Sequence, residues 1–229
     1  MNRKRSKYFI TSSKRKIRYL FIKKNSPITV VFFHGFMSDM IGAKPTAIQK
    51  FCRKQKLNFL KFEYSGHGKS TGKFINGNIS KWTSEAKQLI KSKIKKDKNL
   101  FFIGSSMGSW IALNLFQFFK KQIKGFIGIS SAPVFLEELM WKKFNKKIKK
   151  TIMNKKIYHL EHGKFIYPLT KQLIFDGRKN KILNNKINLK IPILLFHGTN
   201  DEVVPLNFSR KILKIFLEKF TGTTLSFVP

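Results

Sequence analysis

The chain is poor in cysteine, in acidic residues and in long apolar runs. Cys52 is its only cysteine, so an intrachain disulfide is excluded and a reducing compartment is favoured. No apolar run reaches the ~18 residues that a membrane-spanning helix requires. The longest candidate, Ile28 to Phe33, is followed by His34 and Gly35 and indicates a buried strand. We therefore expect no transmembrane segment.

Acidic residues are so scarce that the formal net charge is +36, with 47 basic against 11 acidic side chains. Arginine, which is favoured for bidentate recognition of phosphates and bases, provides only 7 of the basic residues, and lysine provides 40. The lysines are spread along the whole chain. This pattern predicts no specific nucleic-acid partner and only weak, non-specific adhesion to polyanions. The alternative is a selected surface for nucleic acid or for an anionic membrane.

The length of 229 residues, 42% of them hydrophobic, is enough to bury one substantial core. The basic segment from Met1 to Lys16 superficially resembles an organelle transit segment, but it lacks the apolar stretch of a secretory signal. A strand pattern already begins at Ile17, which leaves little to cleave. We expect a cytoplasmic protein, or a mitochondrial one if the source is eukaryotic.

Strand-like and helix-like patterns alternate along most of the chain. Short runs rich in Val, Ile and Phe predict strands, and apolar positions at helical spacing predict helices between them. The predicted strands are Ile17–Ile22, Ile28–Phe33, Leu57–Phe62, Asn99–Ile103, Gly125–Ile129, Ile191–Phe196 and Thr223–Val228. The predicted helices are Ala43–Lys56, Ile79–Lys96, Met107–Phe119 and Leu206–Phe220. This order indicates an α/β fold with a mostly parallel, twisted sheet covered by helices on both faces.

The alternation fails between residues 133 and 189. This stretch contains lysine-rich helical pieces (Phe135–Ile152), a segment rich in Tyr, His and Pro (Tyr158–Pro168) and a further stretch, Lys171–Leu183. Because it lies between two predicted strands, we interpret it as a small cap over the carboxyl edge of the sheet, where open α/β sheets bind ligands. Residues 1–132 and 190–229 would form the core, and residues 133–189 the cap insertion.

The sequence Gly104-Ser105-Ser106-Met107-Gly108 lies between a predicted strand and a predicted helix. In this context the G-x-S-x-G pattern is typical of a nucleophile elbow, which holds a serine hydroxyl at the end of a strand. Ser106 is the candidate catalytic nucleophile, and the Met107 N–H is the first candidate donor of an oxyanion hole. The alternative is an ordinary turn rich in Gly and Ser.

Two further glycine-containing loops follow predicted strands. In His34-Gly35-Phe36 a backbone turn would bring the Phe36 N–H opposite Ser106, as the second oxyanion donor. His34 itself is interpreted as a structural imidazole. His67 lies between two glycines in the loop Glu63–Ser70. A catalytic role for His67 is disfavoured, because an elbow serine takes its base from later in the chain.

Asp201 follows the predicted strand Ile191–Phe196, where it could orient a histidine and stabilise its charged form. The chain order of serine, acid and histidine favours it as the catalytic acid. An exposed loop acid or a cap for the next helix is the alternative, and Asp176 is the second candidate for the acid. No pattern indicates a metal site, and we expect no cofactor.

These segments, in this order, resemble the α/β-hydrolase superfamily. Within this superfamily they most resemble an abhydrolase-domain group. That group contains bacterial hydrolases and a mitochondrial palmitoyl-protein thioesterase, which also cleaves acyl glucuronides. The resemblance covers the chain from Ile17 onward, and the segments that carry it are His34–Met40, Phe51–Arg53, Tyr64–Gly68, Gly104–Gly108, Leu139–Trp141 and Phe175–Arg178. The resemblance implies an α/β-hydrolase fold, with Ser106 as nucleophile and Asp201 as acid. It also implies Phe36 and Met107 as oxyanion donors.

The chain departs from the pattern of this group at two places. Ser109 stands where the group usually continues with glycine, and none of the five histidines occupies the family's Gly-Asp-His-like loop after the last predicted strand. An incomplete or frameshifted record, a decayed gene, or a cap histidine (His159 or His162) acting instead would explain this, and the pattern favours the first two. Loss of the base costs about 10⁶-fold in turnover in subtilisin. We therefore expect the chain as written to fold and to hydrolyse poorly.

The sequence thus predicts a serine hydrolase of carboxylic esters or thioesters that forms an acyl-enzyme at Ser106. Its substrate would be a small molecule or an acylated protein. The alternative is a catalytically degraded hydrolase fold that binds polyanions or membranes.

Overall fold

A sheet of eight strands forms the centre of the computed structural model, which describes residues 6–162, 165–180, 191–217 and 223–228. The strands of the chain are β1 (Lys7–Ile10), β2 (Lys16–Ile22), β3 (Ile28–Phe33), β4 (Asn58–Phe62), β5 (Asn99–Ser105), β6 (Ile123–Ile129), β7 (Ile157–His162), β8 (Phe165–Thr170), β9 (Ile193–Gly198) and β10 (Thr223–Val228). The order in the sheet is β1-β2-β4-β3-β5-β6-β9-β10. The first two strands are antiparallel to their neighbours, and the other pairs are parallel. The predicted α/β fold with a mostly parallel sheet is confirmed.

Six α-helices lie between or beside the strands of the described ranges. They are α1 (Ala43–Lys54), α2 (Ile79–Lys93), α3 (Met107–Leu115), α4 (Lys146–Lys155), α5 (Lys171–Lys179) and α6 (Asn207–Leu217). Short 3₁₀ turns cover Phe74–Asn76, Phe116–Phe118 and Trp141–Lys143, and a π-helical turn covers Leu136–Met140.

Helix α2 begins at the predicted residue but ends before the predicted Lys96. It begins there because the side chain of Asn78 accepts a hydrogen bond of 2.8 Å from the N–H of Lys81. It ends at Lys93 because Ile94 adopts an extended backbone (φ −117°, ψ 125°) and its side chain is buried in the core. Core packing thus stops a helix that the local pattern would continue.

The core lies on both faces of the sheet. All nine residues of α3 are buried, which explains why this helix is apolar on every side. Helix α2 packs beside it and buries a stripe that includes Trp82 and Leu89. On the opposite face, Cys52 of α1 packs with Phe59 and Ile22 in a smaller apolar cluster. Both faces of the sheet are therefore covered, as the continuous apolar strands predict.

The segment after β6 contains a hairpin that the sequence pattern did not predict. Strands β7 and β8 pair antiparallel, with His159 opposite Pro168, in a two-stranded sheet of their own. A proline is tolerated there because neither strand has a second neighbour among the described residues to which a backbone N–H must donate. Helix α5 begins at Lys171, the first residue of the stretch Lys171–Leu183, for which the sequence pattern predicted no secondary structure; residues 181–190 lie outside the described part of the chain. The division into core and cap stays a prediction.

Strand β1 was also not predicted, since the sequence pattern placed the first strand at Ile17. It pairs antiparallel with β2, so the sheet begins at Lys7. None of the helices in the described part of the chain has the length and apolar character needed to cross a membrane.

Candidate active site

The parallel strands end together at one edge of the sheet. The register places Phe33 of β3 beside Gly104 of β5, and Ser105 of β5 beside Ile129 of β6. Strand β9 follows in register beside β6. The loops after these strands therefore meet at a common edge. The predicted site residues lie on these loops (Phe36, Ser106 and Asp201) or directly after one of them, at the start of α3 (Met107).

Ser106 occupies the sharp turn between β5 and α3. Its backbone lies at φ 51° and ψ −119°, a conformation that residues with a side chain rarely adopt. Glycine is required two positions before it, because a Cβ at Gly104 would lie 2.5 Å from the Cα of Ser109. Glycine is also required two positions after it, because a Cβ at Gly108 would overlap the carbonyl of Phe33. The turn places Ser106 at the end of a strand and the start of a helix.

The backbone of Ser106 is hydrogen-bonded, whereas its hydroxyl is not. Its N–H donates to the carbonyl of Ile129 at 2.9 Å, and its carbonyl accepts from Ser109 N–H at 3.0 Å and from Ala132 N–H at 3.3 Å. Within the described residues the hydroxyl has no hydrogen-bond partner. It is therefore available to a ligand.

The turn after β3 lies against Ser106. A Cβ added to Gly35 would lie 3.4 Å from the Cβ of Ser106, which is van der Waals contact. His34 donates from Nδ1–H to the Gly35 carbonyl at 2.8 Å, which fixes one end of the peptide plane that continues to Phe36. The N–H groups of Phe36 and Met107 donate to no acceptor among the described residues. Two backbone donors thus remain unused beside the serine.

A cavity of about 510 Å³ lies beside Ser106. Its apolar lining includes Phe36, Phe135, Leu139, Met140, Phe144 and Leu160. Among the described residues, Lys143 and Glu202 provide its charged lining. Most of the apolar lining comes from the segment after β6. A cavity of this size and character suits a ligand with a substantial apolar part.

Asp201 lies in the loop after β9, next to the cavity-lining Glu202. Its Oδ1 accepts hydrogen bonds from Val203 N–H at 3.0 Å and Val204 N–H at 2.8 Å. Partial burial raises the pKa of Asp201. The two backbone hydrogen bonds lower it, as do a hydrogen bond from the Ser130 side chain and the nearby His197, and the pKa lies below its usual value. The carboxylate is therefore ionised at neutral pH, and its hydrogen bonds to backbone N–H groups also fix the conformation of the loop after β9.

Asp176, the second candidate for the acid, lies elsewhere. It belongs to α5, and its Oδ2 accepts a hydrogen bond of 2.8 Å from Ser80 N–H in the first turn of α2. A carboxylate at this position accepts a hydrogen bond from a free N–H in the first turn of the helix and interacts favourably with the helix dipole. Asp176 does not line the cavity beside Ser106. The structure therefore does not bring it to the predicted site.

The histidines near the site are buried and occupied by other partners. His197 donates from Nε2–H to the Val204 carbonyl at 2.7 Å, and its Nδ1 pairs with the Ser209 hydroxyl at 2.7 Å. Its Nε2 lies 3.7 Å from Asp201 Oδ2, beyond hydrogen-bond distance. His67 donates to the Ser65 carbonyl at 3.2 Å.

Burial keeps two of these imidazoles neutral. Burial lowers the pKa of His67 to about 4. Burial also lowers the pKa of His34 well below its usual value, and electrostatic repulsion by His67 lowers it further by a smaller amount. His159 is exposed on β7, and the side chain of His162 lies outside the described residues. No described histidine side chain hydrogen-bonds Ser106. The prediction that the catalytic base lies beyond these five histidines stays a prediction.

Two buried carboxylates behind the site were missed by the sequence analysis. Glu63 is paired with Arg18 at 3.2 Å and accepts from Lys69 N–H at 2.7 Å. Glu85 is paired with Arg15 at 2.7 Å. They fix the loop Glu63–Ser70, which holds His67 against His34. No local signal predicts these pairs, because the partners are far apart in sequence.

The fold and the serine turn together define the class of this protein. A mostly parallel sheet whose central strand leads through a strained serine into a buried helix is the architecture of α/β hydrolases. The chain belongs to the α/β-hydrolase family, since residues 25–173 match the family described as Hydrolase_4, serine aminopeptidase S33. The resemblance stated from the sequence is thereby confirmed.

Among curated proteins, the chain is similar to the mitochondrial palmitoyl-protein thioesterase ABHD10. It is 27% identical to the Homo sapiens protein over 204 residues, which are 86% of this chain and 64% of that protein. The Rattus norvegicus protein is 27% identical over 203 residues, with 86% and 66% covered. The chain therefore spans less than two thirds of the length of the human relative. The names of these relatives place them in mitochondria, and the location of this protein stays a prediction.

Solved structures are similar over nearly the whole chain. A hydrolase from Agrobacterium vitis S4 superposes with a TM-score of 0.90 at 26% identity, covering 98% of this chain and 90% of that one. Mouse alpha/beta hydrolase domain-containing protein 10 gives 0.85 at 22% identity, with 99% and 89% covered. Est1E from Butyrivibrio proteoclasticus with bound ferulic acid gives 0.80 at 21% identity, with 97% and 89% covered. The last two establish likeness of fold.

Proposed function

We propose that the protein is a serine hydrolase of carboxylic esters or thioesters that works through an acyl-enzyme at Ser106. The observation that carries the proposal is the position of Ser106 at φ 51°, between β5 and α3, with a free hydroxyl beside an apolar cavity. A strained backbone at such a point is characteristic of functional sites. The relative named as a palmitoyl-protein thioesterase supports this class of reaction.

In the proposed reaction the Ser106 oxygen attacks the acyl carbon and transfers its proton to a base. The carbonyl oxygen becomes an oxyanion, which the free N–H groups of Phe36 and Met107 stabilise. The N-terminus of α3 adds a favourable dipole. The intermediate collapses to an acyl-enzyme as the protonated alcohol or thiol leaves, and water then releases the acid by the reverse path.

Asp201 is the proposed acid of the triad. Its ionised carboxylate would orient a histidine and stabilise that histidine's charged form. The four described histidine side chains make no hydrogen bond to Ser106. We infer that, with only these histidines, the chain reacts slowly, retaining on the order of 10³–10⁴-fold acceleration from the oxyanion hole and binding.

The apolar cavity supports a substrate with an apolar acyl group. Its lining by aromatic and aliphatic side chains from the segment after β6 would exclude water from the acyl chain. Either a small ester or thioester or an acylated protein could present such a group at the open side of the cavity. The acyl part would enter beside Phe135 and Phe144, and the leaving group would face solvent.

Labelling with a fluorophosphonate probe tests the proposal, because the probe phosphonylates an activated serine. The wild-type chain should be labelled at Ser106, slowly because no described histidine acts as its base, and the Ser106→Ala variant should not be labelled at all. Peptide mapping identifies the labelled residue. Ser84→Ala, at an exposed position on α2, is the matched control and should be labelled like the wild type. Equal labelling of Ser106→Ala and wild type would contradict the proposal.

Added imidazole tests whether a base is missing. If no histidine of the chain serves Ser106, imidazole should enter the cavity and accelerate labelling severalfold in a concentration-dependent manner. Unchanged labelling across imidazole concentrations would contradict the inferred impairment while leaving the nucleophile assignment intact.

A further inference from the structure

The densest run of lysines in the chain borders the cavity. Residues 142–156 contain eight lysines and neither an acidic residue nor an arginine. Lys143 lines the cavity, and α4 begins at Lys146, shortly after the cavity-lining Phe144. Lys142 pairs with Glu138, and the other seven lysines form no ion pair with any described residue. Their charge is therefore not neutralised within this part of the protein.

Helix α4 presents these lysines to the outside. Ile152 is fully buried and Ile148 packs against the core, so the apolar stripe of the helix faces the protein. Lys146, Lys147 and Lys150 are exposed. The outer surface of α4 is thus positively charged along its length.

Exposed apolar side chains lie on elements that line or adjoin the cavity. Met37 is 42% exposed and Val203 is 64% exposed, on loops that contribute to the cavity. Met153 of α4 is 37% exposed and Ile166 of β8 is 55% exposed. Because side chains alternate along a strand, Ile166 points away from the side on which Tyr167 lines the cavity. The surface around the cavity therefore combines lysines with apolar side chains in contact with solvent.

We propose that this docking face, made of the lysines of residues 142–156 with Met37, Met153, Ile166 and Val203, binds an anionic lipid bilayer. The lysines contact the negatively charged headgroups, and the apolar side chains enter the interfacial region. The open side of the cavity would then face the bilayer, and an acyl group could enter it from the lipid phase. Only this last consequence rests on the proposed hydrolase function.

The composition of the docking face favours a bilayer over a nucleic acid. The lysine run lacks arginine, which gives bidentate contacts to phosphates and bases. Exposed apolar side chains strengthen binding to a bilayer interface but add nothing to binding of a phosphate backbone. Asp39 and Glu202 on the neighbouring loops, and the exposed Glu161 opposite Ile166 in the β7–β8 hairpin, oppose either partner, but the lysines outnumber them.

Sedimentation with vesicles tests the proposal without reference to catalysis. The wild-type chain is mixed with vesicles of ether-linked phosphatidylcholine, with and without about a third of phosphatidylglycerol, at about 0.1 M salt. Ether linkages resist hydrolysis, so binding is measured on intact lipid. The test variant replaces Lys146, Lys147, Lys150 and Lys155 by glutamine. The matched control replaces Lys95, Lys96, Lys120 and Lys121, exposed residues that precede β5 and β6 at the opposite edge of the sheet.

We expect binding to the anionic vesicles only. A lysine near an anionic surface contributes on the order of fivefold in partitioning, so the test variant should bind at least about tenfold more weakly than the control variant. Equal losses in the two variants would overturn the proposal and indicate diffuse adhesion by net charge. Circular dichroism checks that both variants are folded.

A second pair of variants tests the apolar contribution. The double variant Met37→Ser, Val203→Ser should bind vesicles severalfold more weakly and bind duplex DNA as the wild type does. The control Phe51→Ser, at an exposed position on α1, should change neither kind of binding. If the double variant bound vesicles as tightly as the wild type, the assignment of a bilayer as the partner would be overturned. Failure of fluorophosphonate labelling would instead contradict the proposed function and leave these results standing.

Discussion

The carbonyl oxygen of Phe33, at the end of β3, lies so close to Gly108, in the first turn of α3, that a Cβ at position 108 would overlap it. Strand β3 leads into the turn that carries Phe36, and α3 begins directly after Ser106. The contact between Phe33 and Gly108 therefore sets how closely the Phe36 amide approaches Ser106. Glycine is needed here because two backbones meet, not because of an unusual φ.

Gly108→Ala should push α3 away from β3. We expect a loss of about 1–3 kcal/mol in the free energy of unfolding, typical of overpacking in a core, and at least a tenfold slower labelling of Ser106. Urea unfolding and fluorophosphonate kinetics measure the two effects. Gly42→Ala is the control, because a Cβ there meets nothing within 4 Å. A Gly108→Ala variant as stable and as reactive as the Gly42→Ala variant would show that the contact has no such role.

The two candidate acids should respond differently to loss of charge. Asp201→Asn keeps an oxygen that can accept from Val203 and Val204, so the loop should remain folded. Ester hydrolysis in the presence of added imidazole, which Asp201 would orient as a base, should fall severalfold. Asp176→Asn keeps its acceptor for Ser80 and should alter only the stability of α2. Steady-state ester hydrolysis and thermal unfolding separate the two. A larger loss of kcat in Asp176→Asn than in Asp201→Asn would reverse the assignment.

His67 should make the fold less stable in mild acid. Its pKa is lowered from 6.5 to about 4 by burial, so between these values the unfolded chain binds a proton that the native chain does not. Stability therefore rises with pH across this window and falls as the pH drops through it, by up to about 3 kcal/mol. His34, whose pKa is also lowered, acts in the same direction.

Urea unfolding between pH 4 and 7 measures this dependence. His67→Phe should reduce the slope of stability against pH, because the ring then has no proton to bind and packs against Phe74 and Trp82. His159→Phe, at an exposed position, should leave the slope unchanged. An unchanged slope in His67→Phe would contradict the interpretation.

Breaking the buried pair of Glu63 and Arg18 should cost far more than breaking an exposed pair. The Glu63 side chain is fully buried, so Arg18→Met leaves a buried charge without its cation and should cost about 3–5 kcal/mol. Glu63→Gln combined with Arg18→Met should cost less than the sum of the single changes. Lys142→Met, which breaks the exposed pair with Glu138, should change stability little. Strict additivity in chemical denaturation would argue against a coupled buried pair.

Elements with a strong local pattern were predicted closely. Strand β3 (Ile28–Phe33) and the first residues of α1, α2 and α3 fall where the apolar period and the glycine spacing place them. The hairpin β7–β8 was missed because its Tyr, His and Pro residues form no clear alternation, and its strands are stabilised mainly by pairing with each other. Strand β1 was missed for a similar reason, since its partner β2 lies beyond a turn of polar residues.

The sequence by itself determined the local arrangement: a strand that leads into the turn at Ser106, a glycine two positions before and after this serine, and a buried helix after it. These are properties of neighbouring residues, so hydrophobic period and glycine spacing are sufficient to reveal them. Only the tertiary structure decided that the turn at Gly35 lies against Ser106, that Asp176 caps α2 away from the cavity, and that Glu63 pairs with Arg18. Those relationships depend on strand order and register, which bring together residues that no local pattern connects.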